Sequence, residues 1–476
     1  MTDYYFDGAN GNDSTGNGLS SNPYKTIRTT TIGGAFNPLN ARFFIKRGTT
    51  VSLSNTSVYP QGTFYIGPYG EGEEDAVVDC NSVADYFFVL GIGSTANNSI
   101  VFDRVKLLDT REVTTASGIY QHASGACTLT VKDCKIVGFQ NGIMTQKNDR
   151  HQFLRNNITR QRNCGIIIEH SAAAAANNLL ITDNYIDNTL GSNDAISLHA
   201  GSGSGIGNVV RGNTLITGTE QAIDILAMYP GTLIADNVVY ANPASVVSLW
   251  SDIFCRGANS QILNNVIFSR NRLAIDIDAA NVNIRGNTIV NSDDVGVSAL
   301  IRIQGTGANA SITHNHLVMK SNFSAPGIIP LTGATTGKIK NNVMVSYSAN
   351  AGFNFISAQT FANLATWDID NNCYAQMSGS KVNAWAGLSI ADWRLSAGTP
   401  DVNSLILNNV LPLQIPSFQS AGQLINVRNL YRVPAGSALI MAGAHEGYYV
   451  DSTGHQFWNP PSIGPCEYVR QRTSRT

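Results

Sequence analysis

Two short segments put carboxylates where proton-transfer chemistry on a sugar would need them. Residues 221–227 read QAIDILA and carry Asp224, and residues 273–279 read LAIDIDA and carry Asp276 and Asp278. In each, apolar and polar residues alternate with period two, so the apolar set faces a core and the carboxylates face away from it. Positions two apart on an extended chain are roughly 6.5 to 7 Å apart, which is the spacing expected for Asp276 and Asp278. If the two segments lie two rungs apart in a parallel stack, Asp224 stands roughly 9 to 10 Å from Asp276. Inverting glycosidases hold acid and base about 6.5 to 9.5 Å apart, with a water between them. Asp224, Asp276 and Asp278 are therefore the candidate catalytic groups.

Other residues on the same face could bind. Between the two segments, SVVSLWSD (245–252) repeats the alternation and is expected to turn Trp250 outward, as a platform for the C–H face of a pyranose. Glu169 and His199 are expected one rung apart, as an acid–base pair or, more simply, a solvated hydrogen-bonded pair. Asp194, Asp252 and Arg256 flank the face from the turns, and Arg256 or Arg302 could hold a carboxylate-bearing sugar. The expected binding set is Trp250, Glu169, His199, Arg256, Arg302 and Asp252. Outward strand positions must be polar somewhere, so each of these also fits a merely solvated face. Asp276, Asp278 and the turn pair Asp293–Asp294 offer oxygens of the kind Ca²⁺ takes. Their pattern is unspecific, and no metal or other cofactor is assigned.

The elements that position these residues belong to a repeat. From about residue 100 a template of apolar-x-x-Asn-x-apolar recurs, with its fourth position at Asp103, Cys134, Asn156, Asn184, Asn213, Asn237, Asn265, Asn287, Asn315, Asn342 and Asn372. Eleven units of about 27 residues are the mark of a solenoid. The units lack the leucine ladder of leucine-rich repeats, and alternation of strand type flanks each Asn. An Asn at a sharp corner tolerates the left-handed conformation, and stacked amides can bond from rung to rung. The second strand of each unit aligns into an inward column of Ile143, Ile166, Ile196, Ile223, Val247, Ile275, Ile301 and Phe353. Beside it run Thr145, Ile168, Leu198, Ile225, Leu249, Ile277, Ile303 and Phe355. Such continuous aliphatic stacks predict an all-β fold, a single-stranded parallel β-helix of about eleven coils.

Composition agrees. The 476 residues are 43% hydrophobic but only 13% charged, about half the usual charged share. Solubility then rests on Asn, Ser, Thr and Gly, which suits short strands and turns better than exposed helices. A net charge of −2 gives no reason to expect nucleic acid or an anionic membrane as partner. No run of 18 apolar residues could span a bilayer, and no basic stretch leading into an apolar one suggests a signal peptide. The seven cysteines are scattered without C-x-x-C, so buried thiols are expected rather than a zinc or redox site.

The opening carries Gly11-Asn12-Asp13 and then Pro23-Tyr24-Lys25-Thr26-Ile27, and it resembles the start of many right-handed parallel β-helix proteins. The final Pro461-Ser462-Ile463-Gly464-Pro465-Cys466-Glu467-Tyr468 resembles the closing segment of bacterial and phage β-helix proteins. The chain thus resembles the pectate-lyase-like superfamily and, within it, phage tailspike and polysaccharide depolymerase proteins. That resemblance implies an N-terminal capping module (1–75), a right-handed β-helix (76–375) and a C-terminal capping region (376–476). It also implies a homotrimer on a phage tail, docked on another virion protein through its N-terminal region. There it would bind a bacterial surface polysaccharide and depolymerise it as an endo-acting hydrolase. Two alternatives stand beside this: a secreted bacterial polysaccharide lyase or hydrolase, and a structural or adhesive rod without activity. Lyases of this superfamily often pair Ca²⁺ with a Lys or Arg base. No lysine occurs between Lys147 and Lys320, so a lysine-based lyase on these rungs is disfavoured, while an Arg base stays open.

Overall fold

Runs of three to five aliphatic and β-branched residues, each broken by Asn, Asp or Gly, can make strands but are too short and too interrupted for helices. The computed structural model describes residues 1–28, 39–53, 57–80, 86–90, 98–111, 116–122, 127–146, 150–169, 177–199, 205–241, 250–270, 273–291, 299–304, 309–320, 328–331, 336–348, 354–358, 366–377, 383–385, 388–389, 401–408, 437–444, 446 and 461–465. Among these residues strands are the only regular elements, and no helix is long and apolar enough to cross a membrane. In three sheets the strands pair in parallel with their equivalents one coil later, forming a right-handed parallel β-helix with three strands to a coil, while Asn383–Trp385 and Leu388–Ser389 form a short antiparallel pair.

Residues 1–232 and 233–476 form two compact units. In the first, one sheet of eight strands runs from Thr2–Phe6 to Val209–Arg211. A second of seven runs from Thr50–Ser52 to Thr214–Thr217, and a third of six from Tyr86–Leu90 to Ile223–Ile225. In the second unit the corresponding sheets hold six, seven and five strands. They begin at Leu233–Ala235, Val238–Ala241 and Ser251–Cys255.

The third sheet of each unit carries the candidate residues. In the first unit its inward columns are Ile143, Ile166, Ile196 and Ile223, beside Thr145, Ile168, Leu198 and Ile225, all paired in register and buried. The second unit departs from the expected alignment. Ile275 pairs with Ile253 rather than Val247, because the strand is Ser251–Cys255, six residues further on. A slip by an even number of residues leaves every side chain on the same face, so alternation alone cannot settle the register. Val247 and Leu249 lie outside the described residues, as does Phe353. Ile329 and Ile356 pair where Phe353 was expected.

The Asn column is a hydrogen-bonded ladder. In the first unit the backbone N and Nδ2 of Asn156 both donate to Oδ1 of Asn184, each at 2.9 Å, and Asn184 does the same to Asn213 at 3.0 and 2.9 Å. The remaining Nδ2 hydrogen reaches a backbone carbonyl of the preceding coil, as from Asn184 to Phe153 at 2.9 Å. In the second unit the same bonds link Asn237, Asn265, Asn287, Asn315, Asn342 and Asn372. The left-handed corner residue is not the Asn, as expected from sequence, but the residue before it. Asp133, Arg155, Asp183, Asp236, Asn264, His314, Asn341 and Asn371 have φ between 52° and 57°. Bonds made by the following side chain offset the cost of that corner, so its own residue type varies. The first unit of the template also shifts. Val131 pairs with Phe102 and Lys132 with Asp103, which places Val105, not Asp103, opposite Cys134.

The terminal motifs are built into this framework. Asp13 accepts from the backbone of Lys25 and Thr26 at 2.8 and 2.9 Å and from the Thr26 hydroxyl at 2.7 Å, tying the opening loop to the P-Y-K-T-I segment. Ile463 is fully buried with Leu439, Val345 and Cys373 in the second unit, and Gly464 N donates to Asn341 O at 2.8 Å. Cys466, Glu467 and Tyr468 lie outside the described residues. The six described cysteines are buried thiols with no disulfide among the described residues.

Candidate functional site

In the first unit, the outward column of the third sheet runs Met144, Ile167, Ser197 and Asp224, and the next pairs Glu169 with His199. Asp194 sits in the turn leading into Ile196–His199, and Asn188 fixes that turn. Its Nδ2 donates to the carbonyls of Asn163, Asn193 and Asp194 at 2.9, 2.8 and 3.2 Å. Gly165 lets the turn come close, since a Cβ there would lie 2.7 Å from Ala195 O.

Asp194 and Asp224 converge on one imidazole. His199 Nε2 lies 2.9 Å from Asp224 Oδ2 and 4.0 Å from Asp194 Oδ2. The Asp194 and Asp224 side chains are 2% and 7% exposed, whereas that of His199 is 39% exposed, so a ligand meets the ring first. Asp194 Oδ2 accepts from the Ser197 hydroxyl at 2.7 Å, while its Oδ1 is buried with no hydrogen-bond partner among the described residues. One ligand atom from each of Asp194, His199 and Asp224 lies within 4.8 Å of the others, a spacing that would also suit a cation.

Burial pushes Asp194 up to about 7, and the charge of Asp224 adds to this, while Ser197 and His199 pull the other way. Burial and then Asp224 also raise Glu220, which lies just before the strand Ile223–Ile225. Two carboxyls here hold protons more tightly than usual beside a third that is paired with a histidine. That division suits acid–base work, one partner kept able to donate and another able to accept.

The same shift bears on stability. Folding raises Asp194 from its ordinary value of 3.8 to about 7. Between those values the folded chain keeps a proton that the unfolded chain has lost. The stability this provides is fully present below the ordinary value and is lost as pH rises through about 7. Asp194→Asn, which cannot ionise, is expected to be on the order of 2–4 kcal/mol more stable than the unaltered chain at pH 8 and to show no such gain at pH 4. Urea denaturation at the two pH values measures this.

The expected Glu169–His199 pair is not what forms. The two are in register, but His199 turns to Asp224, and Glu169 is left exposed at the end of its strand. Asp194 was legible only as a flanking residue, and Glu220 was missed. Both are acids in the turn just ahead of the outward-facing strand, in consecutive repeats, and that recurrence was the available signal.

Asp224 belongs to the first unit and Asp276 and Asp278 to the second, where the outward column runs Phe254, Asp276 and Arg302. Asp276 is buried and held by a fork from Arg302. Nε reaches Oδ1 at 2.9 Å and Nη2 reaches Oδ2 at 2.6 Å, and Gln304 Nε2 lies 3.0 and 2.9 Å from the same oxygens. Its chemistry here is to hold a guanidinium in place. Asp278 follows the strand, half-buried, with its backbone N bonded to Cys255 O at 3.0 Å. Trp250 is not part of a strand, as expected from sequence, but precedes Ser251–Cys255 and is 53% exposed. Asp252 is a fully buried strand residue rather than a turn residue. The Arg256 guanidinium lies 4.6 Å from the centre of the Phe254 ring. Trp250, Ser251, Phe254, Leu273, Asp276, Arg302 and Gln304 line a depression of about 310 Å³. Asp293 and Asp294 lie outside the described residues.

No family model and no curated protein matches the chain. Solved structures that resemble it include a DFA-IIIase from Arthrobacter chlorophenolicus A6 in complex with GF2. It is 15% identical over 67% of this chain and 86% of that one, with a TM-score of 0.46. Pectate lyase Pel9A is 13% identical over 98% of this chain and 97% of that one, at 0.44. An alginate lyase from Paenibacillus sp. str. FPU-7 is 16% identical over 57% and 86%, at 0.37. At these levels the likenesses carry no argument about substrate, and the β-helix stands on the strand pairing of the chain itself.

Proposed function

We propose that this protein binds and hydrolyses a polysaccharide, with Asp194, His199, Asp224 and Glu220 as the reacting cluster. The observation that carries the reading is one half-exposed imidazole braced by two buried carboxyls, one of them pushed up to about 7. Asp224 Oδ2, 2.9 Å from His199 Nε2, orients the imidazole as the base that takes a proton from water. Glu220, half-buried and raised in the same field, is the group that protonates the departing glycosidic oxygen, with Asp194 behind it as the proton reserve. Water adds across the broken C–O bond, and no other reactant is consumed.

Charge favours hydrolysis of an uncharged glycan over elimination from a uronate. Glu169, Asp194, Glu220 and Asp224 surround a single histidine, and the strands Ile166–Glu169, Ile196–His199 and Ile223–Ile225 contain no Lys or Arg. A carboxylate-bearing sugar would meet repulsion from these carboxylates, and these three strands offer it no Lys or Arg. The opening and closing motifs support a phage tailspike setting, with a bacterial surface polysaccharide as substrate. In that setting the first 75 residues dock on another virion protein and the chain is a homotrimer.

The test is incubation of the protein with neutral and acidic bacterial capsules and O-antigens, following reducing ends and ultraviolet absorbance. New reducing ends from a neutral glycan, without absorbance, are expected. An absorbing unsaturated product would assign a lyase instead. Retention of intact glycan without cleavage would assign an adhesin.

A further inference from the structure

We infer that the depression beside Trp250 in the second unit is a saccharide subsite selective for an uncharged pyranose, in which Asp276 acts as a positioning residue for Arg302. The inference rests on the carbohydrate reading above but not on cleavage.

The depression has two unlike walls. Trp250 and Phe254 offer aromatic faces, with Leu273 beside them, while Asp276, Arg302 and Gln304 form a fixed polar edge. A pyranose has the matching asymmetry, with C–H groups on its faces and hydroxyls around its rim. At about 310 Å³ the space lies at the small end of ligand sites, which run from about 300 to 1,000 Å³. It suits one or two sugar rings rather than a long segment.

Charge sets the class of sugar. An exposed arginine in such a place would ordinarily select a carboxylate. Here the guanidinium already spends Nε and Nη2 on both oxygens of Asp276, and the charge of Asp278 also acts on it. The Arg302–Asp276 pair is neutral. What remains for a ligand is a rigid set of N–H donors and the Gln304 amide, which fit hydroxyl oxygens. A uronate would have to compete with Asp276, which is buried and bound at four contacts.

The experiment uses the full chain carrying Asp224→Asn, so that probes are not consumed. Binding is followed by saturation-transfer NMR with maltohexaose, cellohexaose, xylohexaose, mannohexaose and hexagalacturonate. At least one neutral probe is expected to bind, with Trp250→Ala weakening it by about tenfold or more and Trp250→Phe restoring most of the affinity. Adding Asp276→Asn releases the charge of Arg302 and is expected to shift preference toward hexagalacturonate by about tenfold, an effect a merely structural Asp276 would not produce. Tighter binding of hexagalacturonate before that change, no neutral binding, or indifference to Trp250→Ala would each overturn the inference. If the unaltered chain releases reducing ends while Trp250→Ala binds normally, only this inference falls. If neutral probes bind through Trp250 and no glycan is cut, only hydrolysis falls.

Discussion

Asp224→Asn is expected to lower turnover of a neutral polysaccharide by about a thousandfold while changing its binding only a few-fold. The amide keeps the shape of the carboxylate but not its charge. Asp224 Oδ2 lies 2.9 Å from His199 Nε2, so the charge both orients the ring and stabilises the imidazolium once it has taken a proton. An amide facing that nitrogen can present its NH₂ and turn the ring to the unproductive tautomer. The substitution also reports on its neighbours, because the Asp224 charge helps to raise both Asp194 and Glu220. Residual activity should therefore lose its alkaline limb at a lower pH than the unaltered chain. Initial rates across pH 4 to 9, with binding measured separately, check both effects.

Asn287→Ala is expected to cost about 3–5 kcal/mol of stability. Asn287 Oδ1 accepts from the backbone N and Nδ2 of Asn265, each at 2.9 Å, and its own Nδ2 donates to Ile262 O at 2.8 Å. Asn265 is fully buried, so alanine strands two donors and a carbonyl where water does not reach. Asn281 provides the control. It bonds to Asn259 at 3.1 Å in the same unit but is exposed, and its φ of 57° suits glycine, so water replaces what Asn281→Gly removes and the cost should stay below about 1 kcal/mol. Urea midpoints for the two variants separate a buried ladder from a surface one.

The repeat was readable because three constraints coincide at each coil: an inward aliphatic pair, a buried amide and a corner. Columns such as Ile166, Ile196 and Ile223 follow directly from them. Register failed where one constraint was missing. In SVVSLWSDIFC the alternation continues unbroken, so Val247 and Ile253 were equally good partners for Ile275, and only the three-dimensional stack selects Ile253. The candidate site was half legible for a related reason. Strand periodicity shows that Asp224 and Asp276 face outward, but not where long side chains reach. Asp276 is claimed by Arg302 from the next coil, and His199 turns from Glu169 to Asp224. Asp194 escaped because a turn has no period, and its burial depends on the neighbouring coil closing over it.

The most direct measurement is reducing-end release from a neutral bacterial surface polysaccharide, as a function of pH, by the unaltered chain and by Asp194→Asn. Release by the unaltered chain is expected to decline as pH rises through about 7, where Asp194 gives up its proton. Asp194→Asn, though more stable at pH 8, is expected to release reducing ends at least about a hundredfold more slowly. Equal release by both chains, or an unaltered chain that binds the glycan and never shortens it, would contradict the account.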